Sequence, residues 1–146
     1  MKKENIKECC IILDGVDKTG KDSIKDEIIR QTDGKALVIS RSFLSQIVYS
    51  RIYNRKINEK FFIEKMKELY EDKDYYFFYL EAEKSVLEKR FIKHNEKDLL
   101  INDIQKHIDT FEDVILQLEE HNMFIKKINS TNYSVEESVK EILKKI

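Results

Sequence analysis

Cys9-Cys10-Ile11-Ile12-Leu13-Asp14-Gly15-Val16-Asp17-Lys18-Thr19-Gly20-Lys21-Asp22-Ser23 is the stretch that decides the fold. The apolar run closed by Asp14 suits a strand buried on both faces, as in the middle of a parallel sheet. Gly15 through Lys21 then spells G-x-x-x-x-G-K, and Asp22–Gln31 carries Ile24, Ile28 and Ile29 at helical spacing. Strand, glycine loop and helix in that order meet the needs of phosphate binding. Glycines let successive backbone N–H groups turn inward, and a helix N-terminus adds its dipole and unpaired donors. Lys21 is placed to reach the β- and γ-phosphates of a nucleoside triphosphate. Gly15, Val16, Asp17, Lys18, Thr19, Gly20, Lys21, Asp22 and Ser23 together form the candidate ATP site. An ordinary strand–turn–helix corner with a surface lysine is the bland alternative.

Asp22 stands where such loops normally place a Ser or Thr that ligates magnesium, and Ser23 follows it. A carboxylate can take Mg²⁺ directly or through water, because hard cations prefer oxygen. It also suits a helix N-terminus as a negative charge. Asp22 and Ser23 are the candidate metal residues, with helix capping as the rival role for Asp22.

Working outward, short apolar runs alternate with longer amphipathic ones, the pattern of β-α units. Ala36–Ser40 is a second strand, and Phe43–Asn54 a helix with Phe43, Leu44, Ile47, Val48 and Ile52 on one side. Asn58 is placed to cap a helix through Lys73, with Phe61, Phe62, Met66, Leu69 and Tyr70 inward. Tyr75–Glu81 is the third strand, Ser85–Asn95 and Asn102–Glu120 are helical, and Phe124–Asn129 is a weaker fourth strand. Ser134 and Glu137 frame a capping box for a last helix that buries Val135, Val139 and Ile142. The expected fold is α/β: one domain over residues 1–146, in three layers. A small parallel sheet of about four strands, in the order 2-1-3-4, carries helices on both faces.

Charge sharpens the picture. Lys plus Arg number 27 against 28 Asp plus Glu, a formal net charge of −1. That balance argues against a coating of nucleic acid or of an acidic membrane, so any basic site must be local. Two of only three glycines fall in the one loop. The start, Met1–Glu8, is polar with no signal-type apolar region behind it, so the cytosol is expected. Cys9 and Cys10 are adjacent in a strand and read as buried thiols in a reducing compartment.

Leu13 through Lys21 resembles the opening of thymidylate kinases, whose P-loop reads acidic-Gly-aliphatic-Asp-x-x-Gly-Lys. Ser40-Arg41-Ser42-Phe43-Leu44-Ser45-Gln46-Ile47-Val48-Tyr49 resembles that family's Asp-Arg-aromatic-x-x-Ser-x-x-small-Tyr segment. Tyr79-Leu80-Glu81, with Val86 and Lys89-Arg90 after it, resembles the strand and helix leading to its lid. The Gly-Lys-Asp-Ser variant is similar to loops of phage-type deoxynucleoside monophosphate kinases and of one class of phosphomevalonate kinase. The resemblance implies a nucleoside monophosphate kinase using ATP and Mg²⁺, with Lys21, Arg41, Arg90 and Lys18 as the catalytic set. Arg41 would hold the acceptor's phosphate, Ser45 and Tyr49 would line the acceptor pocket, and Asp17 would reach the acceptor from the loop. Lys18 would touch the transferring phosphoryl group, and Arg90 would belong to a lid over ATP.

Departures from the family pattern are specific. Ser40 replaces an acidic residue, and the family's Phe-Pro-x-Arg motif has no counterpart, leaving Arg51, Arg55 or Lys56 as substitute cations. Ser45, Tyr49 and Tyr53 share a helix stripe suited to stacking on a base, or simply to half-burial. Arg90, Lys93, His94 and Lys97 share a face that either meets triphosphate or faces water. Two rival functions stay open: a kinase for another small or polynucleotide acceptor, and an inactive nucleotide binder acting through a partner. The expected partners are ATP and a small nucleotide, with no membrane; a homodimer is left open.

Overall fold

A computed structural model describes residues 6–16, 19–93 and 103–146. Its core is one sheet of four parallel strands, β1 (Cys9–Gly15), β2 (Ala36–Ser40), β3 (Tyr75–Glu81) and β4 (Lys126–Asn129). Their order is β2-β1-β3-β4, as expected. Among the described residues the helices are α1 (Lys21–Gln31), α2 (Phe43–Ile52), α3 (Glu59–Glu71), α4 (Lys84–Lys93), α5 (Ile104–Glu120) and α6 (Val135–Lys144).

Chirality explains which face each helix takes. A parallel crossover is right-handed, so stepping from β1 to β2 puts α1 on one face. Stepping back across β1 to β3, and on to β4, puts α2 through α5 on the other. The packing follows that rule. Ile11, Leu13, Val38, Phe78 and Leu80 meet Ile24 and Ile28 of α1 and Val139 and Ile142 of α6. Cys10, Ile12, Phe77 and Tyr79 meet Leu44, Ile47 and Val48 of α2, Met66 of α3, Leu87 of α4 and Phe111 of α5. Each fully buried aliphatic or aromatic side chain of this kind contributes about 1.5–3 kcal/mol. The adjacent strands β1 and β3 therefore send their following helices to opposite faces. That divergence opens a crevice at the carboxyl end of the sheet.

The caps read from sequence are present. Asn58 accepts from the Phe61 N–H, and Ser134 with Glu137 forms the reciprocal box at α6. Some expectations need correction. Ile29 is exposed because Ile24 and Ile28 fill the narrow seam of α1, and Ile29 points about a quarter-turn away. Phe61 sits at the outer edge of α3 and is exposed, while Met66 alone on that helix is fully covered. Val135 is exposed, at the first helical position of α6. The fourth strand begins at Lys126 instead of Phe124, α2 ends at Ile52 and α3 at Glu71. Asn95, at the expected end of α4, and Asn102, at the expected start of α5, lie outside the described residues. No helix among the described residues is long and apolar enough to cross a membrane.

Candidate phosphate-binding site

Gly15 is at once the last rung of β1, paired with Leu80, and the first residue of the loop. A Cβ there would lie 2.6 Å from the Leu80 carbonyl oxygen, so two backbones approach too closely for any other residue. Gly20 caps α1 in the left-handed region, at φ 90°. Between them Thr19, 2% exposed, donates its hydroxyl to the Val16 carbonyl at 2.8 Å. Lys21 is buried, and its ammonium donates to the carbonyls of Gly15 (2.9 Å) and Val16 (3.0 Å). The cation is thus held inside the loop. Asp17 and Lys18 lie outside the described residues.

A cavity of about 680 Å³ opens beside this loop. Among the described residues it is lined by Thr19 through Ile24, Ser40, Arg41, Arg90, Lys93, Ser130, Tyr133, Val135 and Ser138. Of these, four are cations (Lys21, Arg41, Arg90, Lys93) and one is a carboxylate (Asp22). A chain of net charge −1 has therefore gathered a local excess of positive charge, which draws a polyanion toward the cavity. Asp22 and Ser23 are exposed in the first turn of α1. Ser40 presents a buried hydroxyl that has no hydrogen-bond partner among the described residues.

Arg41 joins β2 to α2 in the left-handed conformation, at φ 71°. For a residue with a side chain this costs roughly 1–3 kcal/mol and persists only where its surroundings enforce it. Its N–H donates to the Leu13 carbonyl at 2.9 Å. Its guanidinium lies over the Tyr49 ring, 5.3 Å from the centroid. The residue before the loop, Asp14, holds the next turn in place. Asp14 is 1% exposed. One of its carboxylate oxygens accepts from the Ser42 N–H (3.0 Å) and the Ser45 hydroxyl (2.6 Å), and the other from the Ser42 hydroxyl (2.8 Å).

The remaining candidates separate by position. Ser45 is buried, its hydroxyl engaged by Asp14. Tyr49 is half-buried, stacked on Tyr53 and edge-on to His107 and Phe111. Neither lines the large cavity. Arg90 does, and it donates to the Ser130 carbonyl at 3.1 Å. Ser130 is itself anchored by its N–H and hydroxyl to the Glu81 carbonyl. His94 and Lys97 lie outside the described residues. Of the substitute cations, Arg51 is paired with Glu59, and Arg55 covers Tyr53. No group of three or more His, Cys, Asp and Glu side chains among the described residues is placed to hold a metal ion.

Asp14, Ser130, Tyr133 and Ser138 were not among the sequence candidates. Asp14 carried a signal: a carboxylate ending an otherwise apolar central strand must find donors or cost several kcal/mol. The other three sit after the last strand and at α6, and no local pattern marks them.

The chain matches no family model and no curated protein. A solved structure similar to it is the YorR protein of Bacillus subtilis in complex with phosphorylated GDP. The likeness covers 92% of this chain and 93% of that one, with a TM-score of 0.72 and 16% sequence identity. At that identity the likeness speaks for the fold.

Proposed function

We propose that this chain is a nucleoside monophosphate kinase of the thymidylate-kinase-like type, moving the γ-phosphate of ATP to a (deoxy)nucleoside monophosphate. One observation carries the proposal: the glycine loop, with Lys21 inside it, opens into a cavity that Arg41 and Arg90 share. A lysine in the loop and two guanidiniums lining the same cavity would supply charge where a transferring phosphoryl group needs it. The phosphorylated GDP bound by YorR supports a nucleotide as ligand for a chain of the same fold.

The donor set fits a metal-bound triphosphate. One carboxylate and one hydroxyl, Asp22 and Ser23, face the cavity, and Mg²⁺ is commonly held by one or two carboxylates plus phosphate oxygens and water. Bound there, the ion would neutralise the β- and γ-oxygens. Lys21 would ground the donor phosphates, Arg41 would grip the acceptor's phosphate with its planar fork, and Arg90 would close the far side. Asp17 would reach the acceptor and Lys18 would touch the transferring phosphoryl group, with Tyr49 near the base and Ser45 behind it. An acceptor phosphate oxygen is already a nucleophile near neutral pH, so no general base is required. One domain over residues 1–146, in the cytoplasm, is part of the same proposal.

The test is ATP consumption across a panel of nucleoside monophosphates, with isothermal calorimetry for each nucleotide. Turnover with one or more monophosphates is expected. ATP binding without turnover on any of them would favour the inactive-binder alternative, and turnover only on nucleosides or 5′-hydroxyl oligonucleotides would favour another acceptor. Absence of ATP binding would remove the phosphate-loop assignment itself.

A further inference from the structure

We infer that Asp14 is a positioning residue that sets the reach of Arg41 and thereby ties the acceptor side of the site to the donor loop. This rests on the kinase reading for its consequence in catalysis, but its structural content stands on geometry alone. Arg41 is the outlier from which the inference runs. Its left-handed backbone is unfavourable for an arginine and needs outside support. Support comes from the end of β1 on both sides of the residue. The Leu13 carbonyl accepts from Arg41 itself, and the Asp14 carboxylate accepts from the next residue, Ser42, through both N–H and hydroxyl.

The Ser45 bond adds a third point of attachment, one turn into α2. Ser42 also caps that helix, accepting from the Leu44 N–H at 3.4 Å. A single buried carboxylate thus fixes the cap and first turn of α2, and with them the departure angle of the Arg41 side chain. Asp14 immediately precedes Gly15, the start of the phosphate loop. The register between the loop and Arg41 is therefore held by the Leu13 carbonyl and the Asp14 side chain together, and not by the flexible stem of the arginine. Asp14 faces serines and a backbone N–H, and does not line the large cavity, so it acts through Arg41 and not on the ligand.

The experiment uses Asp14→Asn, which keeps size and one acceptor oxygen but turns the other into a donor. Ser45→Ala is the milder companion should Asp14→Asn fail to fold. The first readout is independent of activity: backbone chemical shifts of Arg41 in the full chain, which report the left-handed conformation. They are expected to move toward the extended region in Asp14→Asn, and part of the way in Ser45→Ala. Unchanged Arg41 shifts in both variants would overturn the inference, whatever the enzyme does.

The second readout is a double-mutant cycle by calorimetry with thymidine and guanosine 5′-monophosphates and, separately, ATP. Asp14→Asn and Arg41→Lys should each weaken monophosphate binding about tenfold, and the double variant should be no weaker than Arg41→Lys alone. ATP affinity should stay within about twofold throughout. Losses that multiply in the double variant would show that Asp14 does not act through Arg41. If the wild type binds ATP but neither monophosphate nor any other in the panel, the kinase reading falls, and the Arg41 shifts alone decide the positioning role.

Discussion

The ammonium of Lys21 rests 2.9 Å from the carbonyl oxygen of Gly15, six residues earlier in the chain. The lysine thus folds back onto its own loop, its ammonium buried against two loop carbonyls. Lys21→Ala should leave the sheet intact by circular dichroism. It should also weaken ATP binding in calorimetry and cut turnover by about 10²–10³-fold, the scale of one lost charge-stabilising donor. Wild-type rates in that variant would remove Lys21 from the chemistry.

Asp22 poses a choice between metal ligand and helix charge. If it holds magnesium, Asp22→Asn loses an anionic ligand, so turnover drops and half-maximal activity shifts to higher Mg²⁺. If it serves only the N-terminus of α1, Asn should serve nearly as well. A magnesium titration of both proteins decides, and superimposable curves would leave Asp22 out of the metal site.

Arg41 should invert the usual ranking of glycine and alanine. Both substitutions remove the guanidinium and its contact with Tyr49, but only glycine adopts φ 71° without steric cost. Left-handed geometry costs an L-residue roughly 1–2 kcal/mol, part of which glycine returns as unfolded-state freedom. Arg41→Gly should therefore be more stable than Arg41→Ala by about 0.5–1 kcal/mol in urea denaturation. Equal midpoints would mean that the turn carries no strain.

Gly15→Ala tests the close approach of β1 and β3. The new methyl would meet the Leu80 carbonyl oxygen at 2.6 Å, backbone against backbone, with no side chain free to move aside. A loss of about 1–3 kcal/mol is expected, as for other overpacked sites. ATP affinity should fall with it, because the rung that yields is the first residue of the loop. Thermal melts with and without ATP measure both effects.

Acid should weaken one tie between helices on the α2–α5 face. Glu59 of α3 is held below its ordinary value of 4.5, first by the hydrogen bond from Arg51 of α2, against a smaller opposing effect of burial. A depressed carboxylate contributes stability that is complete above its unfolded value and lost as pH falls through the lower folded value. Glu59→Gln should melt below the wild type at pH 7, and the two should converge as pH drops below 4.5. A gap that persists unchanged into acid would assign the difference to packing. The pair is partly exposed, so the gap should be small and shrink with salt.

The fold was legible because its signals are local. β2 and β3 begin and end where the apolar runs do, and the caps at Asn58 and Ser134 are set by side chains within three residues. Face assignments held for Ile24 and Ile28 and failed for their outer neighbour Ile29 and for Val135 at the start of α6. The order of strand, glycine loop and helix around Gly15 and Gly20 was legible for the same reason. What escaped were the side-chain contacts between distant segments. Asp14 meets Ser42 across a separation of 28 residues, and Arg90 meets Ser130 across 40. Ser45, read as an acceptor-side residue, is turned toward Asp14, a contact no helix stripe reveals.

The large cavity beside the glycine loop is completed by residues that follow the last strand. β1, β2 and β3 with the phosphate loop and Arg41 all lie within the first 81 residues, whereas Ser130, Tyr133, Val135 and Ser138 follow the last strand. Because β1 pairs with both β2 and β3, a chain growing from its N-terminus holds the three strands around the glycine loop before the residues beyond β4 are made. The loop and the residues that enclose it thus belong to separable stretches of the chain, joined where β4 pairs with β3.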